Sequence, residues 1–277
     1  MEVKIDLRKS LTENASGYYE KAKKARAKIE GAEKAVKKTH EDIEWRLASR
    51  IIPDQKIIKK RVEEKKAWYE KFRWFFTSSG FLVIGGKDAT SNEVVIKKYT
   101  EENDLVFHAD VQGAPFFVLK NPDKKEVPEN DLKEAAQAAA SYSSAWKSGT
   151  GICDVYCVRP GQVSKTPPSG EYIAKGAFMI YGKKQWFRGV EMKLAVGVKI
   201  DEKTKVIAGP VDAVKKNSIY AVQILPGEKK SGELAKEIKN VFLKKCGRED
   251  AKKIKRLDVE SIQHWIPGGR GRILDST

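Results

Sequence analysis

The residues best suited to chemistry lie between Asp104 and Pro122, where polar side chains separate two apolar runs. His108 and Asp110 stand two residues apart in an extended stretch, so their side chains can face the same way, and a carboxylate beside an imidazole can orient it. With Glu93 and Lys120 they resemble the set of a metal-dependent nuclease, in which carboxylates hold the cation and a lysine holds the phosphate. Spacing does not show that these groups meet in space, so a nuclease is retained as an alternative function.

The sequence gives no spacing typical of a metal centre or a cofactor site. Cys153 and Cys157 lie four residues apart and Cys246 is distant, so a second pair of zinc ligands is missing. Gly85 and Gly86 lack both the glycine spacing and the following helix of a phosphate-binding loop. We therefore predict no catalytic residue, no metal and no cofactor, and a chain that is not an enzyme.

The composition points to a polyanionic partner. The 277 residues contain 54 Lys and Arg against 38 Asp and Glu, a formal net charge of +16. Such an excess favours nucleic acid, although a solvated basic surface has the same composition. With 3 cysteines and no apolar run long enough to span a bilayer, we expect a cytoplasmic protein that does not enter membranes.

The polar stretch at 108–115 is expected to be a rigid loop between two strands. Leu105–Phe107 and Phe116–Leu119 are apolar and rich in strand-forming residues, while Gly113 and Pro115 restrict the path of the connection. A second polar loop is expected at 88–92. Further strands are predicted at 81–84, 94–96, 152–158, 177–181, 194–200 and 220–225, and helices at 129–146 and 231–245. This order favours an α+β fold with a mixed, mainly antiparallel sheet and helices on one side.

The first 78 residues are predicted to form a separate antiparallel helical hairpin. Small and apolar residues recur at steps of three and four from Ala22 to Ile43 and from Ile58 to Phe76, with Pro53 in the turn between them. The hairpin is either an arm that lies along phosphates or a scaffold that docks another coiled-coil protein. Residues 79–277 form the second predicted domain, which ends in a helix and a basic Gly/Arg tail.

Two later segments combine cations with hydrogen-bonding or aromatic groups. Lys165, flanked by Ser164 and Thr166, could hold a phosphate through one charge and two hydroxyl groups. The segment 183–188 places three cations beside Trp186, which could stack on a base or lie at a strand edge. The prediction requires these cations and the loop at 108–115 to share one continuous surface.

Several motifs in order resemble the RNA-binding domain of the NFACT family, over residues 68 to 190. The motifs are Phe72-Arg-Trp-Phe-Phe76, Leu82-Val-Ile-Gly-Gly-Lys-Asp88, Asn92-Glu93, His108-Ala-Asp-Val-Gln-Gly-Ala114, Lys120-Asn-Pro122, Tyr142-Ser-Ser-Ala-Trp146, Gln162-Val-Ser-Lys-Thr166 and Gly170-Glu-Tyr172. Residues 1–67 resemble, less specifically, the coiled-coil arm that precedes this domain. The family's large N-terminal domain has no counterpart here, so the chain is either a piece that begins at the arm or a naturally short member of archaeal type.

The resemblance implies a ribosome quality-control factor. Such proteins bind a large ribosomal subunit that carries an obstructed peptidyl-tRNA, recruit tRNA and support untemplated tailing of the stalled chain, while the ribosome makes the peptide bonds. The implied partners are rRNA of the large subunit and tRNA, with other quality-control proteins at the hairpin. The predicted RNA-binding residues are Lys87, Asp88, Asn92, His108, Asp110, Gln112, Lys120, Arg159, Gln162, Ser164, Lys165, Thr166, Lys183, Lys184 and Arg188.

Overall fold

A computed structural model describes residues 5, 6, 8, 10–48, 67–166, 173–201 and 204–274. The chain divides into two compact units, residues 1–65 and 66–277. The described part of the first unit is dominated by one helix, α1 (Leu11–Ala48), which extends over about 57 Å at 1.5 Å per residue. The predicted turn at Pro53 and the start of the second helix lie outside the described residues. The helical hairpin therefore stays a prediction.

The second unit is built on a six-stranded sheet in which every neighbouring pair is antiparallel. In spatial order its strands are β1 (Arg73–Phe76), β2 (Leu82–Gly85), β4 (Phe116–Leu119), β3 (Leu105–Ala109), β5 (Ile152–Val158) and β8 (Gln185–Glu191). Two short strands, β6 (Val163–Ser164) and β7 (Met179–Ile180), pair with each other. β8 is therefore an edge strand of the main sheet.

A second, four-stranded sheet and a set of helices complete this unit. The strands are β10 (Thr204–Gly209), β9 (Leu194–Ile200), β11 (Tyr220–Lys230) and β12 (Arg270–Ile273), in that spatial order. The helices are α2 (Ala89–Lys98), α3 (Glu129–Ser141), α4 (Ala145–Ser148), α5 (Val211–Asn217), α6 (Ser231–Lys245), α7 (Arg248–Lys255) and α8 (Val259–Gln263). The α+β class is confirmed. Among the described helices none is long and apolar enough to cross a membrane.

Helix α3 covers one face of the six-stranded sheet. Its alanines at 135, 136, 138, 139 and 140 are buried in the main core, as the small-residue pattern of this segment predicts. Small side chains let a helix approach a sheet closely, so α3 packs directly on β3, β4 and β5. The predicted helix at 129–146 is interrupted after Ser141 and resumes as α4, where the buried Trp146 donates a hydrogen bond to the Arg270 carbonyl at 2.7 Å.

The opposite face of the same sheet carries α2 and the segment 173–180. Ile84, Val106 and Val118 form a second buried cluster there with Val95 of α2, and Phe178 packs against it. These residues alternate along their strands with the residues that face α3, as the period of a β-strand requires. The polar groups predicted to bind RNA between 87 and 112 lie at the margin of this second face.

The prediction of a loop at 88–92 followed by a strand at 94–96 is wrong, because residues 89–98 form α2. Asp88 is the N-cap: its Oδ1 accepts the Ser91 N–H at 2.8 Å, and the Ser91 hydroxyl accepts the Asp88 N–H at 2.9 Å. This reciprocal cap fixes the first turn, and the β-branched residues Val94, Val95 and Ile96 then continue the helix. Packing of Val95 against the sheet overrides their strand preference.

Two further expectations fail at the ends of this unit. Residues 73–76 form β1 rather than the end of a helix, because Arg73-Trp-Phe-Phe76 pairs along its whole length with β2. Aromatic residues at steps of three and four fit a helix face, but they also favour strands. The Gly/Arg segment near the carboxyl terminus is not a free tail, since Arg270–Ile273 form β12 beside β11.

Candidate nucleic-acid interface

A cleft of about 560 Å³ opens beside the start of α2. Its walls come from residues 86–89, the loop 111–116, the segment 174–178 and single residues of other strands and helices. Five of the predicted RNA-binding residues line it: Lys87, Asp88, Asn92, His108 and Gln112. The structure therefore brings together polar groups that are up to 25 residues apart in the sequence.

Asn92 fastens α2 to the sheet at the bottom of this cleft. Its side chain is buried, and Oδ1 accepts the Phe116 N–H at 3.2 Å. Gly86 passes so close that an added Cβ would lie 1.9 Å from the same oxygen. Only glycine permits that approach. Asn92 is thus a positioning group for the cleft wall, with its amide oxygen already used.

His108 holds the loop 110–115 in place. Because a carbonyl only accepts, Nε2 carries the proton and donates to the Ala114 carbonyl at 3.1 Å, which leaves Nδ1 to accept from the Tyr156 hydroxyl at 3.3 Å. Burial lowers the pKa of His108 to about 4, and burial, with the Asp110 charge second, raises the pKa of Tyr156 to about 12. Both rings are therefore neutral at physiological pH, and His108 offers no charge to a phosphate.

Lys165 secures the wall that faces His108. Its Nζ pairs with Glu93 at 2.8 Å and donates to the carbonyls of Ala174 at 2.8 Å and Ala177 at 3.0 Å. The ammonium group thus ties the segment 174–178 to α2, which places it across the cleft from the loop at 111–116. The loops around His108 and Lys165 share one cleft, although Lys165 itself acts through the backbone it holds.

The edge strand β8 continues the cleft as a row of cations and rings. The Lys184 Nζ lies 4.2 Å from the centre of the Tyr156 ring and 5.5 Å from that of Trp186, while the Arg188 guanidinium lies 4.0 Å over Trp186. Asp154 accepts from Arg188 at 2.6 Å and from the Gly189 N–H at 2.7 Å, so the guanidinium is held in place over the ring. Tyr156 lines the cleft and also contacts Trp186, at 5.5 Å between ring centres. Cleft and row therefore form one continuous surface, which we call the cleft–β8 surface.

The family model described as the NFACT protein RNA binding domain matches residues 71–182. Residues 71–182 therefore correspond to an NFACT RNA-binding domain. The match spans the cleft and its walls and ends just before the cation row of β8. The resemblance noted in the sequence is confirmed by this match.

Curated relatives extend the similarity beyond the domain. The chain is 45% identical over 213 residues to the archaeal Rqc2 homolog aRqcH of Methanocaldococcus jannaschii, covering 76% of this chain and 30% of that protein. It is 35% identical over 238 residues to the ribosome quality control complex subunit NEMF homolog of Drosophila melanogaster, with 83% and 23% covered. Human ribosome quality control complex subunit NEMF is 39% identical over 177 residues, with 62% and 16% covered. The chain thus spans less than a third of the length of each of these relatives.

Other predicted residues of the NFACT domain lie at a second cleft, of about 550 Å³. Arg159, Gln162 and Lys183 line it together with Lys124 and Lys125. The Gln162 amide is occupied, because Oε1 accepts the Arg159 N–H at 2.9 Å and Nε2 donates to the Lys183 carbonyl at 2.8 Å. The cations of this cleft lie apart from the residues that line the first one.

The two hydroxyl residues beside Lys165 are not arranged around its ammonium group. The Ser164 hydroxyl accepts the Thr166 N–H at 3.0 Å, which closes a local turn. Lys165 instead points to Glu93 and to backbone carbonyls. Residues 164–166 therefore do not form the predicted phosphate site. Lys165 instead holds the chain in place where it reverses to form the cleft wall.

Lys120 also serves the fold of the NFACT domain. Its Nζ lies 2.5 Å from Asp104 and donates to the Tyr99 carbonyl at 2.9 Å, and only 11% of its side chain is exposed. Glu93 pairs elsewhere, with Lys165. The nuclease candidates Glu93 and Lys120 therefore lie in separate ion pairs, whereas the Asp110 charge acts on the pKa values of His108 and Tyr156. Within the described ranges no three His, Cys, Asp or Glu side chains are placed to hold a metal ion.

Sequence reasoning missed three residues that line the first cleft: Arg73, Tyr142 and Lys175. The sequence pattern predicts a helix that continues to Phe76. It therefore does not indicate that Arg73 lies on β1 beside the cleft. Tyr142 ends α3, and its ring faces the Arg73 guanidinium at 4.1 Å. The one sequence signal for Arg73 is its position among the aromatic residues of Phe72-Arg-Trp-Phe-Phe76.

Proposed function

We propose that the NFACT domain of this chain binds RNA through the cleft–β8 surface. The observation that carries the proposal is the continuity of cations and rings from Lys87, through Tyr156, to Lys184, Trp186 and Arg188. Lysine and arginine neutralise phosphates, and aromatic faces accept any base. A surface of this kind binds single-stranded or exposed RNA by shape and backbone and needs no base-specific hydrogen bond.

We further propose that the chain acts as part of a ribosome quality-control factor. In this role it binds the large ribosomal subunit that carries an obstructed peptidyl-tRNA, contacts rRNA or tRNA, and supports rescue of the stalled ribosome and untemplated tailing. The similarity to the archaeal Rqc2 homolog aRqcH and to human NEMF supports this role, which implies a cytoplasmic location. We assign no catalytic step to the NFACT domain, and other quality-control proteins are proposed to dock at the predicted N-terminal hairpin.

RNA binding is expected to weaken with salt. If three phosphates are engaged, the logarithm of the affinity falls with the logarithm of salt with a slope of about −2, at about −0.7 per phosphate on a single strand. Fluorescence anisotropy with a labelled oligouridylate at two or more salt concentrations measures this slope. Absent or salt-insensitive binding would refute the assignment.

A matched pair of double variants locates the contact. Replacing Lys184 and Arg188 by glutamine should reduce the affinity by more than about tenfold and the slope to about −0.7, because two phosphate contacts are lost and one remains. Replacing Lys215 and Lys216, both exposed on α5, removes the same charge from a helix that does not line the cleft. If both pairs of changes have equal effects, binding is a property of net charge and not of the cleft–β8 surface.

Ribosome recognition is tested by sedimentation. The chain should co-pellet more strongly with purified large subunits that carry peptidyl-tRNA than with empty large subunits, because the additional RNA presents further phosphates and exposed nucleotides. The same titration with small subunits controls for general attraction of a basic protein to rRNA. Equal pelleting with all three particles would leave RNA binding intact and overturn the quality-control role.

A further inference from the structure

Arg73 lies in the wall of the cleft, and one of its guanidinium nitrogens has no acceptor. Its Nη1 atom is buried and has no hydrogen-bond partner, and no ion pair to a carboxylate is found for it among the described residues. Buried polar atoms are nearly always paired in folded proteins, so an arginine with one unpaired nitrogen is unusual. The Arg73 side chain is partly exposed and lines the cleft, so its guanidinium group is open to a ligand that supplies an acceptor.

Tyr142 supports the guanidinium without neutralising it. The ring lies 4.1 Å from the Arg73 guanidinium carbon, which is a cation–π contact. Burial raises the pKa of the Tyr142 hydroxyl, while the Arg73 charge and a hydrogen bond with Arg73 oppose that rise. The hydroxyl stays protonated and donates to the Trp265 carbonyl at 3.1 Å. Tyr142 therefore holds the arginine through its ring and hydroxyl group but supplies no negative charge.

The surroundings of Arg73 favour an anion. Lys87 and Lys175 line the same cleft. The pKa of nearby His264 is lowered first by burial and then by the charges of Lys87 and Arg73, so this imidazole is neutral and adds no charge to the cleft. Asp88 supplies the one carboxylate among the described lining residues, and it already accepts the Ser91 N–H as the cap of α2.

We propose that Arg73 binds a phosphate group of single-stranded RNA and that the cleft receives the nucleotide carrying that phosphate. This inference rests on the proposed function and adds one residue and one ligand group to it. A planar guanidinium fixed against a ring presents paired N–H donors that match phosphate oxygens. The volume of about 560 Å³ is in the range of small-ligand pockets, and the rings of Tyr142, Tyr156 and Phe178 provide apolar wall for a base.

RNA is favoured over an acidic peptide because the cleft leads directly to the cation row. Tyr156 belongs to both: it lines the cleft, and Lys184 lies over its ring. A strand whose nucleotide enters the cleft would therefore continue over Lys184 and Trp186, where alternating charge and ring suit phosphate and base. An isolated carboxylate could bind Arg73 but would make no contact with the cations and the ring of this row.

The test compares Arg73→Gln and Arg73→Lys with the wild-type chain, using a labelled oligouridylate over a range of salt. Arg73→Gln should bind about tenfold more weakly, with a slope smaller by about 0.7, because one phosphate contact is lost. Arg73→Lys should keep the slope and lose part of the affinity, since a lysine retains the charge without the two-pronged donor. Lys215→Gln serves as the charge-matched control.

Two further readouts separate this site from the fold and from RNA binding in general. Uridine monophosphate should raise the melting temperature of the wild-type chain and not that of Arg73→Gln, whereas acetate should raise neither. If wild type and Arg73→Gln bind RNA with equal affinity and slope, the Arg73 site is refuted and the proposed function stands. If the wild-type chain binds no RNA, the proposed function fails first. A destabilised variant with an unchanged slope would also refute the site, because it would show a structural role only.

Discussion

Asp104→Ala is expected to destabilise the NFACT domain by about 3–5 kcal/mol, the effect of breaking a buried ion pair from one side. The Asp104 side chain is fully buried and accepts from three donors: the Lys120 Nζ at 2.5 Å, the Asn121 N–H at 2.9 Å and the Glu101 N–H at 2.7 Å. Alanine would leave the lysine charge and two amide groups without this acceptor. Urea unfolding followed by tryptophan fluorescence measures the change.

Glu101→Ala is the matched control for this prediction. Glu101 also approaches the Lys120 Nζ, at 3.4 Å, but 65% of its side chain is exposed. An exposed pair of this kind contributes about 0–1 kcal/mol. A loss below about 1 kcal/mol for Asp104→Ala would contradict the structural role of Lys120 and return this lysine to the set of RNA contacts.

The sequence predicts the strands around the cleft more reliably than the function of each polar residue. Runs such as Leu105–Phe107, Phe116–Leu119 and Ile152–Val158 are mainly apolar and rich in aromatic and β-branched residues, and all three form strands of one sheet. Their pattern is set by local preference and by burial on both faces of the sheet. The order in which they pair is set by contacts distant in sequence and is not visible in any one segment.

The role of a lysine or histidine depends on which backbone groups lie opposite it. Lys165 and Lys120 look like free cations in the sequence, yet both are used to hold carbonyls and carboxylates. His108 looks like a base or a contact residue and is instead a neutral clamp. Lys184 and Arg188 flank Trp186 at steps of two, as the sequence pattern suggests, and their role as RNA contacts stays a prediction.

The wrong prediction for residues 88–96 shows how a helix cap can determine the secondary structure of a segment. Val94-Val95-Ile96 alone favours a strand, whereas Asp88 and Ser91 form a capping box that starts a helix. Gly86 and Asn92 then fit together only if that helix approaches β4. The cleft depends on the helix that Asp88 and Ser91 begin. A prediction that treats residues 88–92 as a loop therefore cannot give the position of the cleft.

His108 is expected to make the stability of the domain depend on pH between about 6.5 and 4. The folded-state pKa of about 4 lies below the ordinary value of 6.5, so the unfolded chain takes up the proton first as the pH falls. Stability from the neutral imidazole is therefore complete above 6.5, declines through this window and levels off below 4. The total loss is about 3 kcal/mol, at 1.36 kcal/mol per pKa unit.

His108→Gln isolates this contribution, because glutamine keeps an amide donor for the Ala114 carbonyl and does not titrate. Urea unfolding of both proteins from pH 4 to 7 should show the wild-type chain losing about 3 kcal/mol more than the variant, since the carboxylates titrate equally in both. Parallel curves for the two proteins would mean that His108 is protonated in the folded state. It would then be a cation facing the cleft, and the neutral clamp between Ala114 and Tyr156 would be wrong.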